Sequence, residues 1–91
     1  MASVTGKINR FLDKVEGESN GRYWVRQSFV LQIEDDRLLC FTCFGEDKVE
    51  LLRNLELDQI VVVEYRPQSR TVDDKWYTEL RCTRILKTRW E

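Results

Sequence analysis

The fold is decided by residues 38–66, which read LLCFTCFGEDKVELLRNLELDQIVVVEYR. Residues 38–44 are apolar, rich in β-forming residues and stopped by Gly45, which is typical of a buried strand. Residues 60–65 are mostly β-branched and too few for a helix of that composition. The segment between them has an acidic first turn and Arg53 near its end, which favours a helix. The stretch therefore predicts a strand, a helix and a strand.

The predicted helix carries an apolar stripe formed by Val49, Leu51, Leu52 and Leu55. A stripe of this kind must be covered by other apolar side chains, and two strands cannot cover it alone. The rest of the chain must therefore supply more sheet.

The N-terminal part of the chain predicts a strand followed by a loop. Residues 4–9 alternate between apolar and polar, which indicates a half-buried strand that can run on through Leu12. Residues 16–22 are polar and contain Asn20 and Gly21, which favour a turn because both tolerate positive φ. We interpret residues 16–22 as a loop.

A second strand is predicted to start near Tyr23 and to end before a hairpin turn at residues 34–37. Within it, Phe29, Leu31 and Ile33 share one phase and should point inward. The opposite phase forms a mixed row that meets solvent or a ligand: Trp24, Arg26, Ser28, Val30 and Gln32.

The C-terminal part predicts one more strand. Pro67 lacks a backbone donor, so the pairing should change near residues 66–69. A loop at residues 71–75 then leads into a β-rich segment at residues 76–85.

These elements predict an all-β domain with one helix, in the order β-β-β-α-β-β. Five strands with a helix between the third and fourth are the plan of the OB-fold barrel, and a roll resembling SH3 domains is the structural alternative. With 91 residues, of which 42% are hydrophobic and 34% charged, the chain has room for one core. We expect an OB-fold domain at residues 1–86 and a tail at residues 87–91, where Trp90 is either an interface residue or disordered.

Several segments resemble a known family. The order LLCFTCFGEDKVELL, LELDQIVVVEYR and SRTVDDKWYTEL is similar to the third strand, helix, fourth strand and following hairpin of bacterial single-stranded DNA-binding proteins. The resemblance implies that Phe44 matches a base-stacking aromatic residue and that Trp24 takes the place of the second-strand tryptophan. The chain differs in having Leu38 where that family has a tryptophan, and it does not show the family's long acidic tail.

Nearly the whole chain also resembles an uncharacterised family of short bacterial OB-fold proteins. The similarity lies in the Thr-Gly-Lys start, the Phe-Gly-x-Asp-Lys-like helix entry and the Ser-Arg…Trp-Tyr-Thr-x-Leu-Arg ending. This resemblance implies the OB-fold and no established activity.

The charge distribution indicates whether the chain can bind an anionic ligand. A net charge of −1 argues against a general polyanion binder, but the charges are uneven. Residues 34–58 hold three basic and eight acidic side chains, whereas residues 59–90 hold seven basic and four acidic ones. The basic side chains predicted to form a groove are Arg22, Arg26, Arg66, Arg70, Lys75 and Arg81. The alternative is a solvated sheet whose charges only keep it soluble.

The aromatic side chains sharpen this choice. Single-strand binding needs flat stacking surfaces beside cations, and Phe29 and Phe41 are expected in the core instead. For Phe44 and Tyr77, both a groove and a core position remain open. The predicted stacking residues are Trp24, Phe44, Trp76 and Tyr77.

The three cysteines, Cys40, Cys43 and Cys82, lie in apolar segments and are predicted to be buried free thiols. On a strand, Cys40 and Cys43 point to opposite faces, which opposes a shared metal site. The chain has no histidine and no recognisable catalytic motif. We therefore expect no metal, no cofactor and no enzymatic activity.

The sequence thus predicts a non-catalytic module that binds single-stranded nucleic acid, DNA more than RNA, by stacking and by Arg and Lys contacts to phosphates. The alternative is a protein-interaction or assembly module that uses the same groove or a strand edge, and a homo-oligomer is compatible with both. The lack of a long apolar run and of a signal-like start predicts a cytoplasmic protein that does not enter a membrane.

Overall fold

A computed structural model describes residues 2–87. Of the predicted tail at residues 87–91, positions 88–91, with Trp90, lie outside the described residues. The elements are β1 Ala2–Phe11, β2 Val15–Ser19, β3 Arg22–Ile33, β4 Arg37–Phe44, α1 Glu46–Leu51, β5 Ile60–Val72 and β6 Lys75–Lys87, with short 3₁₀ turns at Glu34–Asp36 and Leu52–Asn54.

The strands close into a barrel. Neighbouring strands follow one another in the order β1, β5, β6, β4, β3 and back to β1. Four of these junctions are antiparallel, and β4 and β6 meet in parallel through the pairs Phe41–Leu80 and Thr42–Arg81. The architecture, with one α-helix between β4 and β5 in the part of the chain that the structure describes, is that of the predicted OB-fold.

The structure differs from the sequence prediction at residues 16–22, which were expected to form a loop. Val15–Ser19 is instead a strand, β2, that pairs with the start of β3 through the tight turn at Asn20 and Gly21, where φ is 54° and 75°. β1 and β2 pair with successive parts of β3, so together they occupy one position of the barrel. The described residues therefore form six strands in a barrel with five positions.

The helix and the 3₁₀ turn after it cover the barrel with a narrower stripe than predicted. Val49 in α1, Leu52 in the 3₁₀ turn and Leu55 just after it are buried as expected, but Leu51 is 39% exposed. Its position two residues after Val49 places it about 200° around the helix, on the opposite side. The helix begins after Gly45, whose φ of 95° favours glycine, and packs against β3, β4 and β6.

The core contains the side chains that the strand phases predicted. Phe29 and Phe41 are fully buried and stack with ring centroids 5.6 Å apart, and Tyr65 meets Phe41 edge-on at 5.2 Å. Leu31 is also fully buried, and Ile33 packs against the core from a partly buried position.

The hairpin formed by β5 and β6 extends beyond the barrel. Pairing of β5 with β1 ends at Tyr65, whereas pairing with β6 continues from Arg66–Arg81 to Val72–Lys75. We call residues 66–81 the arm; its paired length is about 20 Å at 3.3 Å per residue.

One predicted feature of this region was correct and one was wrong in detail. The pairing changes next to Pro67, as expected, because β5 loses β1 as a partner after Tyr65 and continues with β6 alone. The predicted loop at residues 71–75 is only the turn at Asp73 and Asp74, where φ is 51° and 66°. Pro67 is tolerated because, within residues 2–87, β5 pairs there with β6 alone, so a missing donor leaves no ladder bond unmade on the other side.

Candidate nucleic-acid interface

The arm has two faces because successive side chains of a strand point to opposite sides. One face, which we call the groove face, carries charged and polar groups together with one ring: Arg66, Gln68, Arg70, Val72, Lys75, Tyr77, Glu79 and Arg81. The other, the outer face, carries Pro67, Ser69, Thr71, Trp76, Thr78 and Leu80. A contact of 3.0 Å between the Ser69 and Thr78 hydroxyl oxygens confirms that these two share the outer face.

A groove lies between the arm and the outward faces of β3 and β4. Its lining combines cationic, aromatic and polar side chains from all three parts. The lining residues are Arg26, Cys40, Thr42, Phe44, Gln68, Arg70, Tyr77, Glu79 and Arg81, and Thr78 and Leu80 of the outer face also border the groove.

Aromatic rings and guanidinium groups alternate across this groove. The Arg26 guanidinium carbon lies 5.8 Å from the centre of the Trp24 ring, and Arg26 is the cross-strand partner of Phe44. The Arg81 guanidinium carbon lies 4.2 Å from the centre of the Phe44 ring. Both distances are within the range of a cation–π interaction. We call Trp24, Arg26, Phe44 and Arg81 the stacked row.

Arg81 is held in place by a second contact. Its Nε donates a hydrogen bond of 3.0 Å to Oε1 of Glu79, and both side chains are partly exposed. The guanidinium therefore lies over one face of the Phe44 ring, and both side chains line the groove. Glu79 was not among the predicted site residues, although its shared phase with Tyr77 and Arg81 places it on the same face.

A buried polar group, Thr42, also lines the groove. Its hydroxyl group is hydrogen-bonded at 2.9 Å to that of Ser28, its cross-strand partner on β3. Neither was predicted as a site residue, although Ser28 lies in the outward phase of its strand. Thr42 lies in an apolar run, where its position on the groove side could not be distinguished from the core.

The cysteines lie on both sides of the sheet. Cys40 is exposed and lines the groove, which corrects the prediction that all three are buried, whereas Cys43 and Cys82 are buried in the core. Cys40 and Cys43 thus lie on opposite faces, as their spacing predicted. A hydrogen bond with Cys82, together with burial, raises the pKa of the Cys43 thiol.

The Trp24 ring packs over a glycine of the neighbouring strand β2. Gly17 is its cross-strand partner, and a Cβ at Gly17 would lie only 2.8 Å from Cζ2 of the indole. The ring can lie flat against β2 only because no side chain stands there.

The same hairpin contains a strong hydrogen bond next to Trp24. The Tyr23 hydroxyl donates to Oε1 of Glu16 over 2.6 Å, and this bond, with the nearby negative charges, raises the pKa of Tyr23 to about 12. The folded chain keeps this proton to higher pH than the unfolded chain, whose phenol titrates near 10. The stabilisation is therefore complete below about pH 10 and is lost as the pH rises toward 12.

We expect Glu16→Gln to lower the pKa of Tyr23 toward its ordinary value. Ultraviolet difference absorbance of the tyrosinate, measured against Tyr23→Phe as the blank, reports this one phenol. An unchanged titration in Glu16→Gln would show that the hydrogen bond is not made in solution.

The structure brings most of the predicted site residues together. Phe44 and Tyr77, whose position was open, both line the groove with Arg26, Arg70 and Arg81. Trp24 adjoins it through Arg26. Arg22 shares the outward phase of β3 with Trp24, Arg66 lies at the base of the arm, and Lys75 lies at its tip.

Trp76 is the exception. It lies on the outer face of the arm, away from the other predicted residues, and is 72% exposed. Its sequence neighbours Lys75 and Tyr77 are on the groove face because adjacent strand residues alternate sides.

The acidic side chains of the helix lie elsewhere. Glu46 and Glu50 line a separate depression with Tyr23 and Arg53, and none of these four lines the groove. The segregation of charge expected from the sequence is thus present in the fold. Among residues 2–87, no three histidine, cysteine or acidic side chains are grouped as metal ligands, and no helix there has the length and apolarity to cross a membrane.

A comparison with family models decides the family. Residues 3–86 match the model described as "Domain of unknown function (DUF3127)". The chain belongs to the DUF3127 family. No curated protein matches this DUF3127 chain.

Solved structures confirm the fold of this DUF3127 domain. The mitochondrial single-stranded DNA-binding protein Rim1 of S. cerevisiae is similar with a TM-score of 0.65 and 19% identity, over 94% of this chain and 91% of that one. The OB domain of Ta0387 from Thermoplasma acidophilum gives 0.60 and 20%, over 98% and 76%. The small single-stranded DNA-binding protein of Streptomyces coelicolor gives 0.54 and 13%, over 97% and 93%. The OB-fold prediction is confirmed.

Proposed function

We propose that this DUF3127 protein binds single-stranded nucleic acid, DNA in preference to RNA, along the groove and without catalysing a reaction. The observation that carries the proposal is the stacked row, in which Trp24, Arg26, Phe44 and Arg81 alternate rings with cations. Single strands expose both bases and phosphates, so a surface that binds them without sequence readout needs stacking surfaces beside positive charges.

The residues divide into two roles. Side chains on the open part of the groove face and on β3 contact phosphates, and rings contact bases. The phosphate contacts are Arg26, Arg66, Arg70 and Lys75, and the stacking residues are Trp24, Tyr77, and Phe44 covered by Arg81. Trp76, on the outer face, is left out of this interface.

The structural neighbours support this proposal through their names, since Rim1 and the Streptomyces coelicolor protein are described as single-stranded DNA-binding proteins. Because the net charge is −1, we expect an affinity on the order of micromolar at physiological salt, typical of binding that is mainly electrostatic.

The decisive experiment compares two single variants, one that lacks a cationic side chain of the groove and one that lacks a cationic side chain elsewhere. We expect Arg70→Ser to weaken binding to every single-stranded DNA of mixed sequence and to reduce the salt dependence, whose log–log slope is about −0.7 per phosphate contact. Arg53→Ser is the matched control, since Arg53 is exposed on the acidic side and paired with Glu50 at 3.3 Å. Binding is measured by tryptophan fluorescence at several salt concentrations.

The fluorescence signal itself locates the ligand. Quenching should be lost in Trp24→Phe and kept in Trp76→Phe, because, of the two tryptophans within residues 2–87, Trp24 adjoins the groove and Trp76 lies on the outer face. If no mixed-sequence single strand binds at low salt and tens of micromolar protein, or if Arg53→Ser has the same effect as Arg70→Ser, the proposal is wrong.

One observation favours the second candidate, a protein-interaction module. Trp76 is 72% exposed on the outer face, and exposed tryptophans are enriched at protein interfaces. If the protein binds no nucleic acid, the outer face with Trp76 becomes the candidate interface for a protein partner.

A further inference from the structure

Glu79 is out of place in a groove for a polyanion. Within residues 2–87 it is the one acidic side chain that lines the groove, and with Asp13 it also lines a neighbouring depression. A carboxylate there repels phosphates, so its presence opposes the binding that the surrounding cations favour. A role that requires an acceptor would account for its position.

The Glu79 carboxylate uses only part of its hydrogen-bond acceptor capacity within the described residues. Oε1 accepts from Arg81 Nε at 3.0 Å, and within residues 2–87 Oε2 makes no hydrogen bond. A carboxylate offers two oxygens with about four acceptor positions, so most of this capacity faces outward. The side chain is 33% exposed, which leaves room for a ligand to reach it.

The neighbouring guanidinium provides a plane for a base. The Arg81 guanidinium carbon lies 4.2 Å from the centre of the Phe44 ring, and the side chain is 40% exposed and lines the groove, so a base can reach it. Unpaired bases stack on arginine planes in this way and are then read by hydrogen bonds along their edges. A base on the Arg81 plane would bring its edge next to Glu79, because the two side chains touch.

We propose that Glu79 selects the base that stacks on Arg81, favouring guanine and disfavouring thymine or uracil. Guanine offers two adjacent donors, N1–H and the N2 amino group, to a carboxylate. Thymine and uracil offer a single N–H between two carbonyl oxygens, which the carboxylate repels. This inference rests on the proposed function, because it assigns a preference to the same groove.

The experiment compares short single-stranded DNAs of about twelve nucleotides that differ only in base identity. The probes are oligo-dT, alternating dT and dG, and the same alternating strand with deoxyinosine for dG, which removes the N2 amino group. We expect wild type to bind the dG strand about tenfold or more tightly than oligo-dT, with the inosine strand between them.

The variant Glu79→Gln tests the residue itself. Its amide oxygen still accepts from Arg81 Nε and keeps the guanidinium over Phe44, but its amide group donates where the carboxylate accepted. We expect the preference for dG to disappear and oligo-dT to bind more tightly than it does to wild type.

The outcomes separate this inference from the proposed function. If Glu79→Gln binds every strand more tightly by the same factor and keeps the wild-type order, Glu79 only positions Arg81 or repels phosphate, and the inference is wrong. Equal binding of all three strands by wild type also overturns it while the proposed function stands. If none of these strands and no mixed-sequence strand binds, the proposed function fails first.

Discussion

Phe41→Ala is expected to lower the free energy of unfolding by about 3–5 kcal/mol. Phe41 is fully buried and contacts both Phe29 and Tyr65 through its ring, so its removal takes one ring out of the three that fill the barrel. The loss combines the transfer free energy of the ring with the cavity that stays behind, because strands on every side keep the cavity from collapsing. Urea unfolding followed by circular dichroism measures it.

The matched control is Leu38→Ala on the same strand. Leu38 is 57% exposed, so its truncation should change stability by at most about 0.5 kcal/mol. If Phe41→Ala does not fold, Phe41→Leu gives a smaller loss that remains measurable. A loss below about 1 kcal/mol in Phe41→Ala would mean that the barrel does not close around this ring.

Leu52→Ala is expected to lower the free energy of unfolding by about 2–5 kcal/mol, because Leu52, in the 3₁₀ turn that continues α1, is one of the three side chains of this segment that cover the barrel interior. The adjacent Leu51 is the ideal comparison, since it has the same side chain on the same turn and is 39% exposed. Leu51→Ala should cost well under half as much as Leu52→Ala.

Equal losses for Leu51→Ala and Leu52→Ala would contradict the packing of the helix. Because alanine has high helix propensity, neither substitution should weaken the helix itself, and the difference between them reports burial alone. The pair therefore measures the contact between helix and barrel without a change of backbone preference.

The sequence predicted the parts of the fold in which local pattern and burial coincide. The strand before Gly45, the helix and the β-branched run after it were correct because each buries one face or stripe, which leaves a readable period. β2 was missed for the opposite reason. Val15–Ser19 is mostly exposed and polar, so it carries no alternation, and only its pairing with β3 makes it a strand.

The sequence predicted which types of residue form the candidate site, but it did not predict how they are arranged in space. Lys75, Trp76 and Tyr77 were grouped because they are adjacent, yet the alternation of a strand sends Trp76 to the other face. The contact of Arg81 with Phe44 joins residues far apart in sequence, through the short parallel pairing of β4 and β6. No local pattern encodes that pairing, so the partner of each groove side chain became visible only in three dimensions.

The parallel junction of β4 and β6 has a mechanical consequence. In the described part of the chain it consists of two residue pairs, whereas the antiparallel junctions around the barrel are longer, so it is the joint that opens at least cost. Thr42 and Arg81 belong to this joint and also line the groove. A nucleic-acid single strand bound from Arg26 to Arg70 would contact both sides of this junction. Such a ligand binds the closed junction in preference to the open one, so the fraction of molecules with the junction closed would rise with ligand concentration.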